Sequence, residues 1–336
     1  MPIELRRMAV AGLGLGGPVA WGVVSGWSGF GMLAALGALA MSGVSMTGGT
    51  RARLARGACT TAIIAVAGLV GAAITGRGWI TALAVVLIAA VAAIPAGVSR
   101  PMAEHAIRFI TVLVITIGLS TDADPVGVAL SYAAGAFWGL LLALLLTREE
   151  TGTPLPAISR REALRRWRGA LRRWHYPARL TCCLAAAGAI GLLWPQPTSS
   201  WIALTVVIVI RPRLDNALRR PLERAAGTGA GVLVGSAVLL WAPPSWLFVL
   251  LVGVLSALRP LLKDRHDTMY ATVMTPLVLL LMDGGQGVSA ATIGYRLADT
   301  VIGCALALGL GYLPWVRHQA TARATDGDPA KAGEVT

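Results

Sequence analysis

The residues with the most capacity for chemistry fall on one recurring pattern, Arg-x-x-x-Thr-x-x-Gly. It occurs as Arg224, Thr228 and Gly231, and again as Arg296, Thr300 and Gly303. Offsets of four and seven put the three side chains on one helix face. Arginine offers a planar fork of donors that grips a carboxylate. Threonine adds a hydroxyl, and glycine leaves room for a ligand. The pattern therefore reads as an anion-binding stripe. Arg224 sits at the end of its apolar run, where anchoring at a membrane surface explains it equally well. Arg296 lies about eight residues inside its run, where a charge is costly and must face protein or water. Asp299 follows it at i+3. The two either neutralise each other as a structural lock, or Arg296 binds an anion while Asp299 takes up a proton in exchange. Asp299 is the one carboxylate deep in any run, and Asp283, at a run's outer edge, is the next candidate. The expected substrate-binding residues are thus Arg296, Thr300, Arg224, Thr228 and Gly231. The expected proton-coupling residues are Asp299 and Asp283.

Other chemistries find little support. A phosphate-binding loop needs Gly-Lys-Ser/Thr, but Lys263 is followed by Asp264 and Lys331 by Ala332. His105, His175, His266 and His318 are scattered, with no ligand spacing between them. Cys59, Cys182, Cys183 and Cys304 lie in or beside apolar runs and read as packed, reduced residues. Gly26-Trp27-Ser28-Gly29 resembles the nucleophile loop of intramembrane serine proteases. Its serine maps to the outer side, whereas every histidine maps to the inner one, so a Gly/Ser turn is the expected reading. No enzyme activity, cofactor or metal is expected.

The elements that must position these residues are apolar helices. The chain has 336 residues, 56% hydrophobic and 13% charged, with a mean hydropathy of +0.69. A soluble domain carries about a quarter charged residues. Twelve apolar runs recur, at 8–24, 28–46, 57–76, 79–98, 106–121, 126–147, 178–195, 199–211, 225–242, 245–262, 268–283 and 289–315. In lipid they must be helices, because nothing there satisfies a free backbone. The net charge is +13, carried by 27 arginines and two lysines. With a cytoplasmic N-terminus, 27 of the 29 basic residues fall on the inner side; Arg77 is outside and Arg296 within a run. That asymmetry marks topology, and it makes a nucleic-acid footprint the poorer account of the charge.

The chain also repeats itself. Arg56 and Thr60 open the third run as Arg224 and Thr228 open the ninth. Arg100-Pro101 follows the fourth as Arg259-Pro260 follows the tenth. His105 and His266 come next in each case. The expected architecture is an all-α integral membrane protein of about 12 transmembrane helices, arranged as two parallel six-helix repeats related by an axis along the membrane normal. The repeats span 1–147 and 178–316. The linker 148–177 holds Ser159 and Glu162 as a capping box, then Leu164, Trp167, Leu171 and Trp174 at helical spacing among seven arginines. It reads as an amphipathic helix on anionic lipid at the cytoplasmic face. The tail, 317–336, reads as disordered. Small-residue stripes at Gly127, Ser131, Gly135 and Gly139, and at Gly227, Gly231 and Gly235, read as close helix packing.

The segment WIALTVVIVIRP (201–212), followed by RRPLERAAGTGAGVLVG (219–235), resembles the fusaric acid resistance protein family, which belongs to the aromatic acid exporters. The carrying motif is Arg224, Gly227, Thr228 and Gly231. In the first half Arg56 and Thr60 survive, with Cys59 where the glycine would stand. Many exporters of that family carry a large cytoplasmic domain, whereas the linker here is short. The resemblance implies export of organic anions, aromatic or hydrophobic carboxylic acids among them. The lack of nucleotide machinery points to the proton gradient as the drive. A passive anion channel, a non-transporting membrane partner and a homo-oligomer remain open. Arg, Ala and Gly in place of Lys point to a high-GC genome, and both termini are expected inside a bacterial inner membrane.

Overall fold

The computed structural model describes residues 3–44, 48–119, 124–147, 165, 169, 175–210, 219–263, 266–284 and 289–314. Most of the arginine-rich linker and the whole 317–336 tail lie outside the described residues, so the expectations for them stay as stated.

The chain forms α1 (Ile3–Ser25), α2 (Ser28–Met41), α3 (Thr50–Ile74), α4 (Trp79–Ala93, continued by a 3-10 turn over Ile94–Gly97), α5 (Arg100–Gly118) and α6 (Pro125–Leu146). It continues with α7 (His175–Leu193), α8 (Ser200–Val209), α9 (Arg219–Trp241), α10 (Ser245–Lys263), α11 (Asp267–Asp283) and α12 (Ala290–Leu306, ending in a π turn over Ala307–Tyr312). Among the described residues there is no strand. Local chemistry sets several of the starts. Ser99 accepts from Met102 N at 3.4 Å ahead of Pro101, and Asp124 from Gly127 N at 2.9 Å ahead of Pro125. Ser289 accepts from Thr292 N at 3.2 Å. A side-chain cap plus a proline in the first turn satisfies donors that the helix cannot.

Among the described residues, nine helices are long and apolar enough to cross a membrane; α2, α8 and most of α11 are shorter apolar helices. Of the about twelve spans expected, nine are thus of full length among the described residues. α8 has 10 residues, about 15 Å of rise against a hydrocarbon core about 30 Å thick. It stops where Ile210 turns extended, just ahead of Arg211-Pro212. α2 stops at Ser42-Gly43, where Gly43 has φ +82°.

The helices pair in a pattern that recurs six helices on. Among the first six, α1 packs on α2 and α6, α2 on α3 and α6, α3 on α5 and α6, and α4 on α5. Among the last six, α7 packs on α8 and α12, α8 on α9 and α12, α9 on α11 and α12, and α10 on α11. The contacts between the sets are reciprocal as well: α1 on α10 with α4 on α7, and α2 on α11 with α5 on α8. Thr60, Ile64, Ala67, Gly68 and Gly71 form the buried face of α3; Thr228, Val232, Gly235, Ser236 and Leu239 occupy the corresponding places in α9. One pair of landmarks does not correspond. Pro101 opens α5, whereas Pro260 lies inside α10.

The glycine stripes do pack helices. A methyl on Gly135 would collide with the Ala34 carbonyl of α2. One on Gly231 would meet Thr275 Cβ at 2.7 Å, and one on Gly235 would meet Pro276 Cα at 2.8 Å, both on α11. Packing is the main force between helices where lipid is as apolar as leucine.

The two ends of the bundle differ. At one end Arg53, in the first turn of α3, donates to the carbonyls of Ala143 and Thr147, each at 3.1 Å, and so holds the last turn of α6. Arg7, Arg259 and Lys263 lie at this end too. At the other end stand exposed tryptophans: Trp21, Trp27, Trp79, Trp194, Trp241 and Trp246. Each falls at the helix terminus away from the arginines. A tryptophan girdle marks a membrane–water boundary, and exposed Leu69, Leu87, Val91, Leu145 and Leu250 clothe the flanks between.

Candidate functional site

Arg296 enters the bundle in the second turn of α12, about 9 Å below the helix start. It is 5% exposed. Its Nη2 lies 2.5 Å from Asp283 Oδ2, at the end of α11. Its guanidinium carbon stands 5.3 Å from the Trp201 ring centroid on α8, an attraction that strengthens when both groups are desolvated. Asp299 is fully buried, about 14 Å below the helix start and near the expected midplane. Its Oδ2 accepts from Thr198 Oγ1 at 2.6 Å.

Thr300 ties the cluster together. Its Oγ1 donates to the Arg296 carbonyl at 2.7 Å and accepts from Trp201 Nε1 at 3.0 Å. Gly303, one turn further, lets α12 close on α8, where a methyl would meet Thr205 Cβ at 2.7 Å. Above the cluster Trp194 and Tyr295 meet edge to face at 6.4 Å.

Arg296 and Asp299 are therefore not each other's main partner. The i+3 spacing makes them neighbours, but the guanidinium reaches across to α11 and the carboxylate turns to Thr198. The structure brings together Arg296, Thr300, Asp299 and Asp283. It sets Arg224, Thr228 and Gly231 apart, on α9, which runs the opposite way along the bundle. Thr228 is buried, and Gly231 faces α11. Arg224 stands near Tyr270 at the arginine-rich end. The two copies of the motif thus lie toward opposite ends of the bundle, each with its glycine packed against a neighbouring helix.

Among the described residues, the cluster holds one guanidinium against two carboxylates. Arg296 Nε and Nη1 and Asp299 Oδ1 have no hydrogen-bond partner among those residues. Buried polar atoms left open in this way are uncommon and call for an explanation. The indole and hydroxyl of Trp201 and Thr198 escaped the sequence reading. Trp201 lay inside the apolar run that carries the family resemblance, and Thr198 in the turn before it, and neither sits at a spacing that marks it.

At the same level of the first six helices the polar pair is neutral. Tyr132 on α6 and Thr116 on α5 join through their hydroxyls at 3.2 Å, both buried. The Gly-Trp-Ser-Gly stretch forms the turn from α1 to α2, with Gly26 at φ +78°. His105, His175 and His266 all stand at or near the starts of helices at the opposite end.

Residues 184–310, from the middle of α7 into the π turn, contain the whole cluster. That segment matches a family model described as fusaric acid resistance protein-like. Curated relatives agree on the setting. An uncharacterized protein of Escherichia coli, YhfK, is 29% identical over 147 residues, 42% of this chain and 20% of its own length. The E. coli inner membrane protein YccS is 30% identical over 138 residues, 40% of this chain and 18% of its own. The uncharacterized membrane protein YvaC of Bacillus subtilis is 28% identical over 138 residues, 40% of this chain and 22% of its own. The matched stretch thus spans about a fifth of these relatives. No solved structure matches. With its apolar helices and these relatives, the chain is a multi-pass bacterial membrane protein.

Proposed function

We propose that this chain exports organic anions across the bacterial inner membrane, aromatic or hydrophobic carboxylates among them, in exchange for protons. The observation that carries the reading is the buried Arg296, with two donor nitrogens open and two carboxylates nearby. A guanidinium at depth is a natural grip for a carboxylate. With one cation against two acids, a proton on Asp299 brings the empty cluster to neutrality. An arriving anion would compete with Asp283 for Arg296 and release the proton of Asp299 to the cytoplasm; once the anion leaves on the far side, Asp299 takes up the next proton there. The name of the matched family supports transport of this class.

In the same reading the bundle is a duplicated six-helix unit, supported by the recurring helix pairs and the matched buried faces of α3 and α9. The two copies enter the membrane the same way, so their axis runs along the membrane normal. The arginine-rich end and both termini face the cytoplasm. A passive anion channel has the same architecture as its alternative.

The test is uptake of radiolabelled benzoate by inverted vesicles holding the full chain. Uptake should rise with an imposed inward-acidic gradient, and Arg296→Ala should abolish it. Ohmic anion currents reversing at the anion equilibrium potential would replace the exporter with the channel. A folded Arg296→Ala protein with full flux would remove Arg296 from the mechanism.

A further inference from the structure

A cavity of about 380 Å³ opens at the arginine-rich end, between the first six helices and the last six. Its walls come from α1, α2 and α6 on one side and from α10 and α11 on the other. Among the described residues that line it are three cations, Arg7, Arg259 and Lys263, the phenol of Tyr270, and no acid. The rest is largely small or apolar, with Val10, Leu15, Ala38 and Met41 along the walls. Its volume lies in the range of small-molecule sites, roughly 300–1,000 Å³.

The key group is Arg259. It is 8% exposed. Its Nη2 donates to Ser42 Oγ at 2.8 Å, at the end of α2. Its Nε and Nη1 have no hydrogen-bond partner among the described residues. The Tyr270 hydroxyl faces it, and Arg224 and Lys263 add positive charge around that phenol. Lys263 Nζ comes within 3.3 Å of where a Cβ on Gly43 would stand. A buried guanidinium that keeps donors beyond its contacts with Ser42 and Tyr270, in a largely apolar chamber with Lys263 beside it, is suited to bind an anionic acceptor.

We propose that this cavity is a second anion-binding site, separate from the Arg296 cluster. It takes a small monocarboxylate with an apolar body. The carboxylate sits on Arg259 and Lys263, with Tyr270 as a further donor, and the body lies against Leu15, Ala38 and Met41. It holds the anion at the face where export begins. The choice of ligand class rests on the proposed transport, but the site does not depend on flux.

The experiment measures binding alone. The full chain, purified in neutral detergent, is titrated with benzoate and, in parallel, with benzamide, its neutral isostere. Thermal stability and calorimetry are read for wild type, Arg259→Gln, Lys263→Gln and Arg296→Gln. Lys263 is exposed, so its variant folds even if loss of Arg259 does not allow folding. Benzoate should bind wild type, benzamide should not, and Lys263→Gln and Arg259→Gln should each weaken binding at least tenfold. Arg296→Gln should leave this binding in place while abolishing flux in vesicles, so the two proposals fail separately. A second arm repeats the titration with phosphatidylglycerol present. Displacement of lipid by benzoate supports the site. Absence of benzoate binding, binding untouched by Lys263→Gln, or lipid that benzoate cannot displace would each overturn it.

Discussion

Replacing Arg296 and Asp283 singly and together separates a lock from a grip. At 2.5 Å, opposite charges attract by about 7 kcal/mol at an effective dielectric constant near 20. Desolvation of each ion costs several kcal/mol and offsets most of that. Removing one partner is a different matter, because the other stays buried and unmatched at about 3–5 kcal/mol. The two singles should not be equal. Arg296→Met leaves two acids, Asp283 and the fully buried Asp299, with no cation, so the high end applies. Asp283→Leu leaves Arg296 with Asp299 at i+3 as its counter-charge, so the low end applies. The double variant removes the pair and leaves Asp299 to hold a proton on its contact with Thr198; it should recover to within about 2 kcal/mol of wild type, as apolar replacements of buried pairs do. Unfolding by SDS titration in mixed micelles reads the stabilities, and vesicle uptake reads the flux. If the pair is only a lock, flux returns with stability in the double variant. If Arg296 grips substrate, the double variant is stable and silent. Singles costing less than about 1 kcal/mol would refute the reasoning, since the pair would then be no more than a surface contact in energy.

Three further outcomes follow from named contacts. Gly135→Ala should part α2 from α6 and cost about 1–3 kcal/mol or more, whereas Gly14→Ala, with nothing within 4 Å, should be neutral or mildly stabilising; SDS unfolding compares them. Arg53→Ala should free the last turn of α6, losing two carbonyl bonds and about 2–3 kcal/mol, with Arg53→Lys intermediate because it lacks the fork; faster hydrogen exchange over 143–147 would report it. Asp299→Asn should flatten the pH dependence of vesicle uptake while keeping the Thr198 contact, and an unchanged pH profile would assign the proton elsewhere.

Much of the bundle is written in hydropathy, and its errors have a common cause. The run 28–46 promised a span longer than α2, and 199–211 one longer than α8. Hydropathy reports tolerance of lipid, not where the backbone leaves the helix. Gly43, in the left-handed region, decides it for α2. Arg296 stood out as the one arginine at depth, which is a one-dimensional fact. Its partner was not legible, because Asp299 is the near neighbour in sequence, at i+3, while Asp283 lies on another helix and only the crossing of α11 and α12 brings it to the guanidinium. Arg259 was read as a marker of topology, since nothing local shows that its helix end lies against Ser42 on α2. The six boundary tryptophans were present all along, but a reading built on charge passed over them.

The two polar sites are anchored differently. Arg296, Asp283, Asp299, Thr198 and Trp201 belong to α8, α11, α12 and the turn before α8, all from the last six helices. The chamber around Arg259 borrows walls from both sets. Suppose one set rocks against the other along the reciprocal seams α1–α10 and α4–α7. The chamber changes its volume at once, because its walls ride on different bodies. The cluster travels as cargo on a single body, with its distances kept. Under such a motion the chamber at Arg259 would be the compressible compartment and the cluster at Arg296 the fixed one.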